Sequence, residues 1–222
     1  MKSMKFVGTK KHTVDDLREI SPGVFVLSFS RLNQFTPGQV VAISLDEDDP
    51  APRIYSICSG DTDPVMSILF DVVPGGKLTT RLATLKKGDN IFCSAPYGSF
   101  YSDGRPAYWI ASGTGIAPFI SMLKSGQDNN NILIHGGRTP QSFYFREELV
   151  EKMGDRYIRC ISSGKEEGHY PGRLTAYLNE LKSFQPGYSY YLCGGAEMVV
   201  EARDILIAKG IPFNQIKSEI YF

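Results

Sequence analysis

The sequence predicts a β + α/β fold in two units, an antiparallel β-barrel or sandwich followed by a parallel sheet with helices on both faces. Three observations carry this prediction. From Phe6 to about Phe100, short β-rich runs are separated by turn residues, the rhythm of a small antiparallel barrel or sandwich. Beyond Asp103-Gly104-Arg105-Pro106, apolar strand-like runs alternate with amphipathic segments, the rhythm of a parallel sheet wrapped by helices. At the start of that second half, residues 107–119 read as buried strand, glycine turn and helix start in direct succession.

In the first half the predicted strands are 24–30, 40–45, 54–59, 65–73 and 90–95, punctuated by Pro22-Gly23, Pro37-Gly38, Asp63-Pro64 and Gly88-Asp89. One helix, over 78–85, interrupts them, because Leu78, Leu82 and Leu85 recur at helical spacing. In the second half the alternating segments are 108–111, 118–124, 131–135, 146–153, 157–162, 174–181, 189–193 and 197–209. A last strand, 216–222, carries two aromatics. The composition break at 101–106 sets the boundary, dividing the chain into 1–103 and 104–222.

Composition narrows the function classes. A chain of 222 residues has the length for one large or two modest domains, and 42% hydrophobic with 22% charged residues is ordinary for a globular protein. The formal net charge is zero, so bulk electrostatics favour neither nucleic acid nor an anionic membrane. The N-terminal stretch lacks an apolar segment of signal-peptide length, and no run approaches the roughly 20 apolar residues of a membrane span; a cytoplasmic protein is expected. Cys58, Cys93, Cys160 and Cys193 are far apart and form no C-x-x-C pair, which argues against zinc and iron–sulfur sites. No metal is expected. Cys58, Cys93 and Cys160 lie in apolar runs and read as small buried hydrophobes. The acidic cluster 46–49 beside Pro50 reads as a solvated hairpin tip.

Three segments carry chemistry. In 107–119 the turn Gly113-Thr114-Gly115 precedes a helix whose first turn accommodates Pro118. Such an arrangement presents unpaired N–H groups at the positive end of a helix, a site for a pyrophosphate; a simple tight turn is the plain alternative, since the third glycine of the dinucleotide fingerprint is missing. In Arg53-Ile54-Tyr55-Ser56, strand alternation puts Arg53 and Tyr55 on one face. A guanidinium beside a phenol ring suits a phosphate joined to a planar ligand; an exposed Arg–Tyr pair is the alternative. In the segment 74–80, two glycines precede a helix start rich in threonine hydroxyls, a second anion site or a threonine-capped turn.

These pieces in this order resemble the ferredoxin–NADP reductase family. The motifs are Arg-x-Tyr-Ser (53–56), Gly-Lys-Leu-Thr-x-Arg-Leu (76–82), Gly-Thr-Gly-Ile-Ala-Pro (113–118), Cys-Gly-Gly…Met (193–198) and Glu-x-Tyr-Phe (219–222), and the resemblance covers nearly the whole chain. The Gly-Lys-Leu-Thr segment and the aromatic terminal pair are most similar to the bacterial ferredoxin/flavodoxin–NADP reductases.

The resemblance implies an FAD-binding β-barrel domain at 1–103 and an NADP-binding α/β domain with an aromatic tail at 104–222. It assigns Arg53 and Thr79 to the flavin phosphates, Tyr55 to the isoalloxazine and Ser56 to the flavin N5, with Ile54 also in the FAD-binding set. Backbone at Gly76, Lys77 and Leu78 would close around the pyrophosphate. Thr114 would lie where flavin and nicotinamide meet, with Gly113, Gly115 and Pro118 near the nicotinamide nucleotide's phosphates. Cys193 and Gly194 would end a strand at the ligand-binding edge of the sheet, Cys193 touching the nicotinamide. Arg138, Ser162, Ser163 and Met198 complete that nucleotide set. Tyr221 would cover the second face of the isoalloxazine, Phe222 would reach the adenine of FAD, and Glu219 matches an acid that assists proton movement. Ser56, Cys193, Glu219 and Tyr221 are thus the catalytic candidates.

One departure bears on selectivity. NADPH-selective members often carry Ser-Arg or Thr-Arg where this chain has Ser162-Ser163-Gly164-Lys165. Lys165 and Arg173 are left to meet a 2′-phosphate, and no acid stands at Ser162 or Ser163 to hold the ribose hydroxyls of NADH, so NADPH is favoured. The implied protein is a monomer or weak dimer that passes hydride between NADPH and FAD and single electrons to ferredoxin or flavodoxin, on another polypeptide. Lys10, Lys11, Lys86 and Lys87 are candidates for a basic docking surface. A free-flavin reductase, an oxygenase reductase component and a flavin-binding relay without nicotinamide turnover are the alternatives.

Overall fold

The computed structural model describes residues 8–47, 49–128, 130–164 and 167–221. They form two compact units that divide after Tyr101, with residues 120–125 grouped with the first.

In the first unit, β1 (Lys10–Ser21), β2 (Val24–Ser30), β3 (Val40–Ser44), β4 (Arg53–Ser56), β5 (Val65–Asp71) and β6 (Asn90–Cys93) pair antiparallel in the order β4-β3-β6-β1-β2-β5. Ile57, just past β4, bridges to Ile68 in β5, and Cys58 N–H donates to the Ser67 carbonyl at 2.8 Å. These bonds join the two edge strands, so the sheet closes into a barrel and hides the unpaired edges that invite aggregation. Alternate residues Leu27 and Phe29, Val41 and Ile43, and Ile68 and Phe70 fill its interior.

Two features of this unit differ from the pattern read in the sequence. No strand is predicted before Val24, yet β1 is twelve residues long. Its pairing with β2 shifts register between Val14 and Asp16 and again between Glu19 and Ser21. Each irregularity resets the alternation of inward and outward side chains, and the acids and bases of 15–19 then dominate the segment. The helix α1 (Lys77–Leu82) also ends before Leu85. Thr84 and Leu85 N–H donate to the Arg81 and Leu82 carbonyls, and the Thr84 hydroxyl also donates to Arg81 O, which tightens the chain out of the helix. Leu85 still packs on the barrel core, from a turn.

The second unit holds six parallel strands, β7 (Ala107–Ser112), β8 (Ile132–Gly137), β9 (Tyr157–Ile161), β10 (Tyr170–Pro171), β11 (Ser189–Gly195) and β12 (Ile216–Tyr221), in the order β10-β9-β8-β7-β11-β12. The helices that follow β7 in the chain are α2 (Ala117–Lys124), whose residues 120–124 group with the first unit, α3 (Arg146–Met153), α4 (Leu174–Glu180) and α5 (Ala196–Ala208). Residues 107–111 are buried throughout, as a parallel strand covered on both faces must be. Trp109 stacks on Phe119 at 5.4 Å on one side. On the other, Tyr108, Ile110, Ile134, Leu178, Leu192 and Leu206 form one core. The two-residue β10, too short for a periodicity signal, is absent from the predicted strands.

Successive strands run outward from β7 through β8 and β9; the chain then returns to place β11 and β12 on the other side of β7. The order therefore reverses between β7 and β11. The crevice beyond the carboxyl ends of these strands is where open α/β sheets bind ligands, and it is formed here by Ser112-Gly113 and Gly194-Gly195.

Candidate functional site

In the barrel, β4 presents Arg53 and Ile54 outward, the latter 52% exposed, whereas Ser56 is buried. The Arg53 guanidinium donates one bond to the Ala51 carbonyl at 2.9 Å. Tyr55 is half-buried and meets Phe70 edge-on at 6.3 Å. Burial pushes its phenol up to about 12, with Arg53 acting in the opposite sense and Asp71 in the same sense, so the ring is neutral and apolar at physiological pH.

The turn before α1 is tightly bonded. Gly76 N–H donates to the Val73 carbonyl (2.8 Å), Val73 N–H to the Thr79 hydroxyl (3.1 Å), and the Thr80 hydroxyl to the Gly76 carbonyl (2.6 Å). A Cβ at Gly76 would stand 2.9 Å from Val73 O and 3.0 Å from Thr79 Oγ1. Thr79 braces the loop, therefore, and α1 starts with neither a side-chain cap nor an acid in its first turn. A helix start without a side-chain cap, an outward guanidinium, a neutral phenol and the exposed apolar side chains of Ile54 and Val73 are groups of the kind that suit a phosphate joined to a planar ring.

In the α/β unit the Gly113–Ile116 turn follows β7 directly. A Cβ on Gly115 would lie 2.3 Å from Cys193 O and 2.6 Å from Gly194 N. Both obstacles are backbone, so only glycine allows this turn to rest on the end of β11. Gly194 has φ +150°, and a Cβ there would meet Ser112 Oγ at 2.4 Å. The two glycine motifs, some 80 residues apart, are thus pressed together at the strand-order reversal. Pro118 is buried at the start of α2, and Thr114 is half-buried on the turn.

Cys193 pairs with Glu219 across β11 and β12, and Gly195 pairs with Tyr221; strand alternation puts these partners on a common face. The thiol is buried. Burial, then the Glu219 charge, push its pKa far above the ordinary range, and a hydrogen bond with the Tyr221 side chain opposes them. Cys193 is therefore a neutral thiol rather than a nucleophilic thiolate. It is held between an acid and a phenol.

Beside this crevice lies a cavity of about 300 Å³, lined by residues that include Gly113, Arg138, Ser162, Arg173 and Met198 from the sequence-derived set. Ser162 and Ser163 N–H donate to the Gly137 and Arg138 carbonyls at 3.0 and 2.9 Å, which ties the loop after β9 to the end of β8. Arg173 flanks the start of α4, and its Nη2 contacts Glu197 at 2.9 Å and Glu201 at 3.2 Å. Lys165 and Phe222 lie outside the described residues. Gly136 and Gly137 also line the cavity. A Cβ on Gly136 would clash with Leu174 at 2.4 Å, and one on Gly137 with Ser142 at 2.7 Å. The doubled glycine at the end of a predicted strand is a signal that the sequence reading passed over; Tyr144 and Thr175, also lining, carry none.

All four cysteines are free and buried. Among the described residues, no group of His, Cys, Asp or Glu is placed to hold a metal ion. No helix among them is long and apolar enough to cross a membrane.

A closed barrel with an uncapped helix start, followed by a parallel sheet with a glycine-lined crevice, is the architecture of a two-unit dinucleotide-binding protein. The family model of the oxidoreductase FAD-binding domain matches residues 11–101, and that of the oxidoreductase NAD-binding domain matches residues 109–204. The chain is 30% identical over 214 residues to ferredoxin–NADP reductase of Azotobacter vinelandii, covering 82% of this chain and 81% of that protein. It is 32% identical over 215 residues to the toluate 1,2-dioxygenase electron transfer component of Pseudomonas putida, covering 89% of this chain. It spans 63% of the length of that protein and 60% of a propane 2-monooxygenase reductase component from Mycolicibacterium smegmatis. The fold matches a Neisseria gonorrhoeae ferredoxin–NADP reductase solved with FAD and NADP, with a TM-score of 0.86 at 19% identity over 97% of this chain and 100% of that one. The chain belongs to the ferredoxin–NADP reductase family, and carries its FAD-binding and NAD-binding domains.

Proposed function

We propose that this protein is a ferredoxin/flavodoxin–NADP reductase, with FAD held by 1–103 and NADP(H) taken by 104–222. The observation that carries the nucleotide assignment is the cavity beside the Gly115–Cys193 crevice, which is lined by two arginines, Arg138 and Arg173. At the loop after β9, where an NADH enzyme uses a carboxylate to hold the ribose hydroxyls, this chain has Ser162 and Ser163. Both features support a 2′-phosphorylated substrate.

Bound FAD supplies the exchange between two-electron chemistry with nicotinamide and one-electron chemistry with a carrier. The protein's own residues supply position and exclusion of water. In this reading, Arg53 and the first-turn N–H groups at Lys77 and Leu78, backed by Thr79, bind the flavin diphosphate. Tyr55 and Tyr221 cover the ring, Ile54 lines it, and the Ser56 hydroxyl donates to a ring nitrogen. Gly113, Thr114, Gly115 and Gly194 let nicotinamide approach without a side chain in the way. Cys193, a neutral thiol, makes an uncharged contact with it, and the Glu219 carboxylate stands beside that contact as a proton acceptor. Tyr221 moves to admit the nicotinamide. Free buried thiols support a reducing, cytoplasmic setting.

Anaerobic stopped-flow tests the proposal. FAD-loaded protein is mixed with NADPH or NADH, and then with ferredoxin or flavodoxin. We expect the flavin absorbance to bleach faster with NADPH and to recover on addition of either carrier. Absorbance unchanged by both nucleotides would sink the proposal. A second reading, the reductase component of an oxygenase, is favoured by the toluate dioxygenase relative; it predicts recovery with an oxygenase partner and none with ferredoxin or flavodoxin.

A further inference from the structure

Arg173 occupies an unusual position. The residue borders the nucleotide cavity, yet its Nη2 is engaged by two carboxylates on α5, Glu197 Oε1 at 2.9 Å and Glu201 Oε2 at 3.2 Å. Neither glutamate lines that cavity; both border a separate shallow groove along α5. The arginine therefore stands between an acidic helix face and the space that the proposed function gives to the adenosine end of NADPH.

The acidic pair is itself informative. Glu197 and Glu201 are four residues apart on one helix, where like charges repel. Glu197 lies in the first turn of α5, a favourable place for one negative charge. The second charge is offset by the guanidinium they share. Together the two carboxylates carry a charge of about −2, close to that of a phosphate monoester at neutral pH. They are an internal counterpart of the 2′-phosphate. The Arg173 side chain is 53% exposed and that of Glu197 81%, so the ion pairs are weak and readily exchanged.

We propose that Glu197 and Glu201 determine nucleotide specificity by competing with the 2′-phosphate for Arg173. Binding of a 2′-phosphorylated nucleotide turns the guanidinium from α5 into the cavity, and the glutamates resist that turn. A nucleotide without the 2′-phosphate leaves the pairs intact and meets no such resistance. The glutamates thus weaken NADPH binding and leave NADH binding unchanged, which moderates the preference that Arg138 and Arg173 would otherwise impose.

The proposal rests on the reading of the cavity as the adenosine site, and the test separates the two. Isothermal titration of the FAD-loaded full chain with 2′-phospho-AMP and with 5′-AMP is compared for the wild type, Glu197→Gln/Glu201→Gln, Arg173→Met, and the triple variant. The double Gln variant should bind 2′-phospho-AMP about three- to tenfold more tightly, with 5′-AMP affinity unchanged. In the Arg173→Met background the same two substitutions should give no gain. If 2′-phospho-AMP affinity is unchanged in the double variant while the wild type binds both nucleotides, competition is refuted and the adenosine site stands. An equal gain for both nucleotides, or a gain that persists without Arg173, overturns it in favour of a diffuse field effect. Failure of the wild type to bind either nucleotide overturns the site reading and the proposal with it.

Discussion

At the scale of single residues, burial sets the protonation of Cys193 and His135 in the α/β unit. Cys193 is kept as a thiol by its surroundings. In the proposed function its sulfur positions the nicotinamide, so Cys193→Ala should retain FAD while slowing flavin reduction by NADPH about tenfold or more. Single-turnover absorbance measures this; an unchanged rate would make the thiol a packing group. His135, on β8, is fully buried, with Nδ1 3.1 Å from the Tyr157 hydroxyl and its ring edge-on to Phe143 at 5.1 Å. Burial lowers its pKa to about 3 from 6.5. The unfolded chain therefore binds a proton that the folded chain refuses between those values, and stability rises with pH through that window. The contribution is fully present above about pH 6.5 and is lost as pH falls toward 3, at up to about 1.4 kcal/mol per pH unit. Urea midpoints at pH 7 and 4.5 should show this slope in the wild type, and His135→Gln should flatten it.

At the scale of elements, the proposed function depends on close backbone approach. The turn after β7 rests on β11 because Gly115 lacks a Cβ, and its neighbour there is carbonyl and amide rather than a flexible side chain. Gly115→Ala should cost about 1–3 kcal/mol and weaken nicotinamide nucleotide binding, while FAD content is preserved because the barrel is untouched. Equilibrium dialysis with NADP⁺ and flavin absorbance give both readouts. Legibility at this scale followed the strength of the period. The helix predicted over 146–153 is the observed α3 (Arg146–Met153), and the strand predicted over 24–30 is the observed β2 (Val24–Ser30). The strand β1 was hidden by its two register shifts, and β10 by its length of two residues.

At the scale of the whole molecule, each unit has its own core, and the barrel is where the proposed prosthetic group would add stability. Ligand binding to the folded state alone raises stability by mass action, about 2.7 kcal/mol at a hundredfold excess over Kd. Thermal unfolding of FAD-loaded and stripped protein should therefore differ, with a higher midpoint for the loaded form. Arg53→Ala should lose most of that difference, since a charge-assisted bond to a phosphate accounts for roughly 10- to 150-fold in affinity. The sequence by itself determined the succession of an antiparallel and a parallel unit and the places where glycine turns and helix starts fall, because periodicity and turn chemistry are local properties of the chain. Tertiary structure alone decided that the Gly113–Gly115 turn lies against Cys193, that β12 brings Glu219 and Tyr221 to the same strand end, and that Arg173 faces two glutamates. Those relations depend on the order of strands in a sheet and the packing of helices upon it, which arise from contacts between segments that no local pattern of residues encodes.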